Sequence, residues 1–212
     1  AMTNHSPDRG VPEWSQPRRL TDGVMMCKPT VLSTGEWVLP ASTWRETDMS
    51  AGMVVSIDSG RTWSRQGACH VPEDVRSFDE HMIVERGDGS LWMLLRNTGG
   101  IAQSVSTDGG RTWSDGSLYL QGRMFANKRF FIRRLNSGAL LMVRNNSPDG
   151  KRSHMTAFVS DDDGATWKGG LLLDERESSY PDGIQAEDGT LFIIYDHQRY
   201  TLNRAGKRGV GS

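Results

Sequence analysis

The chain has 212 residues, with 25 basic and 26 acidic side chains and a formal net charge of −1. That balance excludes the broad electrostatic footprint of a nucleic-acid or anionic-membrane binder, so any acidic ligand must be recognised by locally placed arginines. With 24 glycines, 7 tryptophans and 36% hydrophobic residues, and with no apolar run near the about 18 residues of a membrane span, the composition fits short strands joined by glycine turns.

In chain order, Trp14 to Leu20 reads as the tail of a hairpin whose start is missing. Gly35 then introduces the short strand Trp37-Val38-Leu39, and Ser56 to Trp63 forms the pattern Ser-x-Asp-x-Gly-x-Thr-Trp. Glu80 and His81 lead into an apolar strand that turns at Asp88-Gly89, continues as Leu91 to Leu95 and closes on Arg96-Asn97. The eight-residue pattern returns at 106–113. Next come Arg129, the turn at Gly138, Arg144-Asn145, Arg152 and a third copy of the pattern at 160–167. Tyr180 and Pro181, the turn Asp188-Gly189 and the apolar run Leu191 to Tyr195 follow.

The pattern glycines Gly60, Gly110 and Gly164 are 50 and 54 residues apart, and the turn glycines Gly35, Gly89, Gly138 and Gly189 are 54, 49 and 51 apart. Two interleaved periods near fifty residues define a repeat of four strands per unit, which a β-propeller stacks radially. Short apolar runs bounded by turn residues read as strands buried on both faces. Asp-Gly favours a tight hairpin because glycine reaches positive φ without steric cost. The Asp of each eight-residue pattern can accept N–H bonds in its own turn, and its Trp offers an apolar face for packing between sheets. This chemistry serves the turn rather than calcium or carbohydrate binding.

The three patterns resemble the Asp-boxes of the sialidase superfamily, a group of six-bladed β-propellers. The resemblance covers nearly the whole chain and implies an all-β fold, of which residues 1–212 form one partial domain of about four blades. It further implies a retaining glycoside hydrolase that attacks with tyrosine, because a carboxylate nucleophile would meet the like charge of an acidic sugar. A phenol, with a pKa of about 10, needs a carboxylate base beside it, and arginine forks bind the sugar carboxylate. In family order, Glu80 takes the place of the base, Arg96 and Arg152 the places of clamp arginines, and Tyr180 that of the nucleophile. Pro181 departs from the serine that many sialidases carry there. Arg129 stands where a second Glu80 would fall. Arg144 repeats the Arg96 pattern one blade later, as an echo of the repeat or as a further ligand-binding arginine lining the cleft. Tyr195, Asp196, His197 and Arg199 end the last strand within reach of the same region.

The family's acid Asp and first clamp arginine fall upstream of the chain. Asp48 lies one blade too late for the acid role, so the chain alone is expected to be inactive or nearly so. A fragment of a longer protein is the expected explanation for the open propeller, with self-association as the alternative. The ligand class expected is sialic acid or another acidic glycan, with no metal or cofactor, since Cys27, Cys69, His81 and His154 have no metal-ligand spacing. No signal segment is visible; the leading Ala1-Met2 reads as an expression scar, and the family implies a secreted or periplasmic location. Two other readings stay open: a carbohydrate-binding or scaffold propeller without turnover, and an enzyme acting on a uronic acid.

Overall fold

Three of the four repeats predicted from the glycine spacing are four-stranded β-meanders, and the fourth shows two strands among the described residues. The computed structural model describes residues 1–3, 10–25, 27–43, 50–72, 74–77, 80–122, 124–125 and 127–198. Asp48, Arg199 and the chain end at 208–212 lie outside the described residues. Blade 1 contains β1 (Thr30–Val31), β2 (Trp37–Ser42), β3 (Ala51–Ser56) and β4 (Ser64–Cys69). Blade 2 contains β5 (Met82–Glu85), β6 (Leu91–Arg96), β7 (Gly100–Ser106) and β8 (Ser117–Gln121). Blade 3 contains β9 (Phe131–Arg134), β10 (Leu140–Asn145), β11 (Met155–Ser160) and β12 (Lys168–Asp174). A fourth sheet has β13 (Ser178–Gln185) and β14 (Leu191–His197). All pairings are antiparallel in sequence order, and the first strands of successive blades adjoin, β5 against β9 and β9 against β13. No helix long and apolar enough to cross a membrane is present among the described residues.

The core lies between blades. Val38, Met53 and Val55 of blade 1 pack with Ile83, Leu91 and Met93 of blade 2. From the other face of blade 2, Val84, Trp92 and Leu94 pack with Phe131, Leu140 and Met142 of blade 3. β6 is therefore buried along its whole length, as its unbroken apolar run predicts. β14 departs from that expectation: Phe192 is 55% and Ile194 68% exposed, because β13 is its sole strand partner among the described residues.

Each eight-residue box closes on itself. Ser56 Oγ donates to Asp58 Oδ1 at 2.7 Å and accepts from the Gly60 N–H at 2.8 Å, while Thr62 donates its N–H to Oδ1 at 2.8 Å and its hydroxyl to Oδ2 at 2.6 Å. The same set recurs at Ser106, Asp108, Gly110 and Thr112 and at Ser160, Asp162, Gly164 and Thr166. These donors hold the three box carboxyls well below the usual range, first through the threonine hydroxyl; Asp162 is lowered to about 2.

Each box glycine also offers its carbonyl to the element before it in the ring. Arg18 donates to Gly60 O, the Gly67 N–H to Gly110 O at 2.8 Å, and the Tyr119 hydroxyl to Gly164 O. The segment around Arg18 thus meets blade 1 as β4 meets blade 2 and β8 meets blade 3. In blade 3 the Tyr119 oxygen additionally accepts from Trp167 Nε1, a role the glycine carbonyl plays for Trp63 and Trp113. Tyr119→Phe is expected to lower the unfolding free energy by about 1–3 kcal/mol, since it leaves both the indole N–H and the Gly164 carbonyl without this partner. Urea titration with an unchanged m-value checks it.

Candidate functional site

Strand register decides which side chains meet at the end of the blades. Met82 pairs with Leu94, which puts Glu80, two residues before Met82, on the same face as Arg96, two residues after Leu94. Arg96 Nη1 donates to Glu80 Oε2, and its Nη2 donates to the Asn127 carbonyl at 2.8 Å and Asn127 Oδ1 at 3.1 Å. Glu80 and Arg96 are 6% and 5% exposed, so this ion pair is withdrawn from water. His81 fixes the entry to β5: its Nε2 lies 2.7 Å from Gly52 O in blade 1, and its carbonyl accepts from Cys27 Sγ at 3.1 Å.

Tyr180 reaches this pair from the fourth sheet. Ser179 pairs with Asp196 and Asp182 with Ile194, so Tyr180 and Pro181 together face one residue, Tyr195. A bulge of this kind re-aims a side chain, and a proline without an N–H fits where the ladder is already interrupted. Tyr180 takes φ +53, a left-handed conformation that costs an L-residue about 1–2 kcal/mol. Its hydroxyl donates to Glu80 Oε1 at 3.1 Å, across 100 residues of sequence. Each Glu80 oxygen thus has a defined neighbour, Arg96 on one and Tyr180 on the other.

The surroundings lock the approach. Asn145 Nδ2 donates to the carbonyls of Ser178 at 2.9 Å and Ser153 at 3.2 Å, and the Ser178 N–H donates to Arg152 O at 2.8 Å. Arg152 places its guanidinium 5.9 Å from the Tyr180 ring centre and donates from Nη2 to Asn127 O at 3.2 Å. Lys28 crosses from blade 1 to Gly183 O at 2.9 Å and Asp182 Oδ1 at 3.3 Å, anchoring the residues that follow the bulge. Burial pushes the nearby Cys27 thiol up to about 12, with Arg129 opposing and Asp182 and Glu80 adding to the rise, so this thiol stays protonated.

Glu80, Arg96, Arg152 and Tyr180 are therefore brought together. Arg144 is not. Its Arg-Asn pair resembles Arg96-Asn97, but Phe131 pairs with Val143, which makes Asn145 the positional counterpart of Arg96. A one-residue offset turns a side chain to the other face of a strand. Arg144 accordingly sits between the rings of Phe125 and Phe158, 4.4 and 4.5 Å from their centres, and donates to Asn145 O and Asn146 Oδ1, each at 3.0 Å. Desolvation there lowers it to about 10. Tyr195 is partly buried against the blade 2–3 core, Asp196 accepts from Ser179 Oγ at 2.6 Å, and His197 pairs with Ser178 in the ladder. Asn127 went unnoticed in the sequence because it serves both arginines with its main-chain carbonyl, and Arg96 with Oδ1 as well, from a left-handed turn, φ +57, which no spacing reveals.

A radial array of Asp-box blades carrying a buried Glu–Arg pair against a tyrosine defines a sialidase-type propeller. The chain matches the family model for a BNR repeat-like domain over residues 1–193 and belongs to that family. It is 28% identical over 153 residues to the sialidase of Micromonospora viridifaciens, covering 68% of this chain and 23% of that protein. It is 27% identical over 186 residues to the anhydrosialidase of Macrobdella decora, covering 78% and 24%. The chain thus spans about a quarter of the length of these curated relatives. The crystal structure of the K499G mutant of NanB sialidase from Streptococcus pneumoniae superposes with a TM-score of 0.69 at 23% identity, over 91% of this chain and 32% of that one, a likeness of fold.

Proposed function

We propose that these residues belong to the glycosyl-transfer site of a retaining, sialidase-type glycoside hydrolase acting on a terminal acidic sugar. The observation that carries this reading is the hydrogen bond from Tyr180 to Glu80 at 3.1 Å, within the reach a general base needs. Tyr180 Oη attacks the anomeric carbon as its proton passes to Glu80 Oε1. The new C–O bond forms while the bond to the leaving oxygen breaks, and that oxygen takes a proton from the separate general acid that the sialidase pattern supplies. An acceptor hydroxyl then displaces the phenol oxygen and gives its own proton back to that acid, while the phenol oxygen regains its proton from Glu80. Arg96 and Arg152 are the arginines that the sialidase pattern assigns to the sugar carboxylate, while Asn145 and Lys28 hold the chain on either side of the bulge.

The acceptor decides the product. Water gives hydrolysis, and a hydroxyl of the same sugar gives an anhydro sugar, a product class to which the name of the anhydrosialidase of Macrobdella decora points. Release of a fluorophore from a fluorogenic sialoside reads the first half-reaction in either case. The complete protein carrying this chain is expected to release it, and Tyr180→Phe to lose at least about 100-fold of that rate, since the nucleophilic oxygen is gone. Turnover that survives unchanged in Tyr180→Phe sinks the assignment of the nucleophile. No turnover by the folded parent favours the binding propeller or a different acidic sugar.

A further inference from the structure

The second strand ends on a buried polar residue in each four-stranded blade: Ser42 in β2, Arg96 in β6 and Asn145 in β10 are 0%, 5% and 1% exposed. One strand position thus carries three different donors. In blade 1 the Ser42 hydroxyl donates to Ser50 O at 3.0 Å, which closes the connection into β3. In blade 3 Asn145 Nδ2 makes the matching bond, again eight residues on, to Ser153 O at 3.2 Å, and so fixes the connection that carries Arg152. An amide has a second N–H where a hydroxyl has a single O–H. That second donor leaves the blade and reaches the carbonyl of Ser178, the first residue of β13, at 2.9 Å.

The cross-blade bond has a cost. Two carbonyl acceptors fix the orientation of the amide, and Asn145 Oδ1 is left buried with no partner among the described residues. A serine at this position, as in blade 1, would close the connection without an orphaned acceptor. What the amide gains is the hold on Ser178, whose own N–H is given to Arg152 O at 2.8 Å. The Arg152 connection and the start of β13 are therefore pinned to each other and to β10, two residues before Tyr180. A tyrosine at φ +53 keeps that conformation only where its surroundings over-determine it.

We infer that Asn145 is a positioning residue for the nucleophile: its cross-blade N–H sets Tyr180 against Glu80 and ties that placement to the connection bearing Arg152. The inference rests on the reading of Tyr180 as nucleophile and Glu80 as its base. Arg96 and Asn145 then have complementary tasks from one strand position in neighbouring blades. Arg96 holds the base, and Asn145 holds the strand that bears the nucleophile.

The test compares Asn145→Ser with the parent in the complete protein carrying this chain. Serine keeps a donor for Ser153 O, as Ser42 has for Ser50 O, and removes the bond to Ser178. With a fluorogenic sialoside, kcat is expected to fall about 10- to 100-fold with KM within about twofold, since a displacement of about 1 Å can cost about 100-fold. In a Tyr180→Phe background the same substitution should leave the residual rate unchanged, because the group it positions is gone. A crystal structure of Asn145→Ser should show the Tyr180 hydroxyl withdrawn from Glu80. Melting curves establish that each variant is folded. Parental kcat in folded Asn145→Ser, or an equal fold-loss in the Tyr180→Phe background, overturns the inference while leaving the sialoside reading in place. A variant structure in which Tyr180 keeps its contact with Glu80 also overturns it. If the folded parent turns over no sialoside and Tyr180 still leaves Glu80 in the variant, the positioning stands and the sialoside reading fails.

Discussion

Glu80→Gln is expected to lower the unfolding free energy by about 3–5 kcal/mol, the cost of leaving one partner of a buried ion pair without the other. Arg96 is almost fully buried and places Nη1 on the carboxylate, so the amide leaves a desolvated guanidinium facing a neutral group. The amide also has one acceptor oxygen where the carboxylate has two. If that oxygen keeps Arg96, the NH2 group meets the Tyr180 hydroxyl and can donate to it but cannot take its proton. Should the amide turn round, Tyr180 keeps an acceptor and Arg96 faces another donor. Turnover should fall by about 100- to 10,000-fold, the usual share of a general base. Tyr180→Phe makes the instructive contrast, because it removes one partly buried hydroxyl, leaves the ion pair intact and should cost stability only about 1 kcal/mol. Urea midpoints beside initial rates separate the two, and equal stability of Glu80→Gln and the parent would contradict the account of the pair.

The boxes were legible in the sequence because their chemistry is local: Ser, Asp, Gly and Thr bond to one another within five residues. The repeat was legible because glycine turns are obligatory in it. Tyr180 meeting Glu80 was a different matter, since nothing in the intervening 100 residues states that they meet. Only the order of motifs, compared with a family, suggested it. Arg144 shows where motif reading misleads. The dipeptide Arg-Asn recurs, but it stands seven residues after the turn glycine in blade 2 and six in blade 3, and in a strand an offset of one reverses the face. Counting from Gly89 and Gly138 would have exposed this without any structure. Pro181 carried a readable signal too: a residue that cannot donate to a ladder marks the bulge that aims Tyr180. Lys28 carried none, because it reaches the site from blade 1 by crossing the fold rather than by any local pattern.

Gly164→Ala should be among the most damaging single-methyl changes in the chain, and its companion Gly138→Ala shows why. Both glycines have nearly the same backbone, φ +88 and +89. An alanine at either position carries the left-handed penalty of about 1–2 kcal/mol. At Gly138 a Cβ meets nothing within 4 Å, so the cost ends there. At Gly164 it would lie 2.5 Å from Trp92 Cη2 and 2.6 Å from Cζ3. Trp92 has little room to yield: it is fully buried, donates Nε1 to Gln103 Oε1 at 2.9 Å, meets the Tyr119 ring edge at a centroid distance of 5.0 Å and has Arg86 over its face at 4.5 Å. Overpacking of that kind adds about 1–3 kcal/mol to the backbone term. The blades must then separate slightly, and the seam between blades 2 and 3 also joins Arg96 to Asn127 and Arg152. Gly164→Ala is therefore expected to melt well below Gly138→Ala and to weaken acidic-sugar binding at temperatures where it is still folded, while Gly138→Ala binds as the parent does. Equal melting of the two variants would mean that Trp92 moves freely, and that the seam is looser than its packing implies.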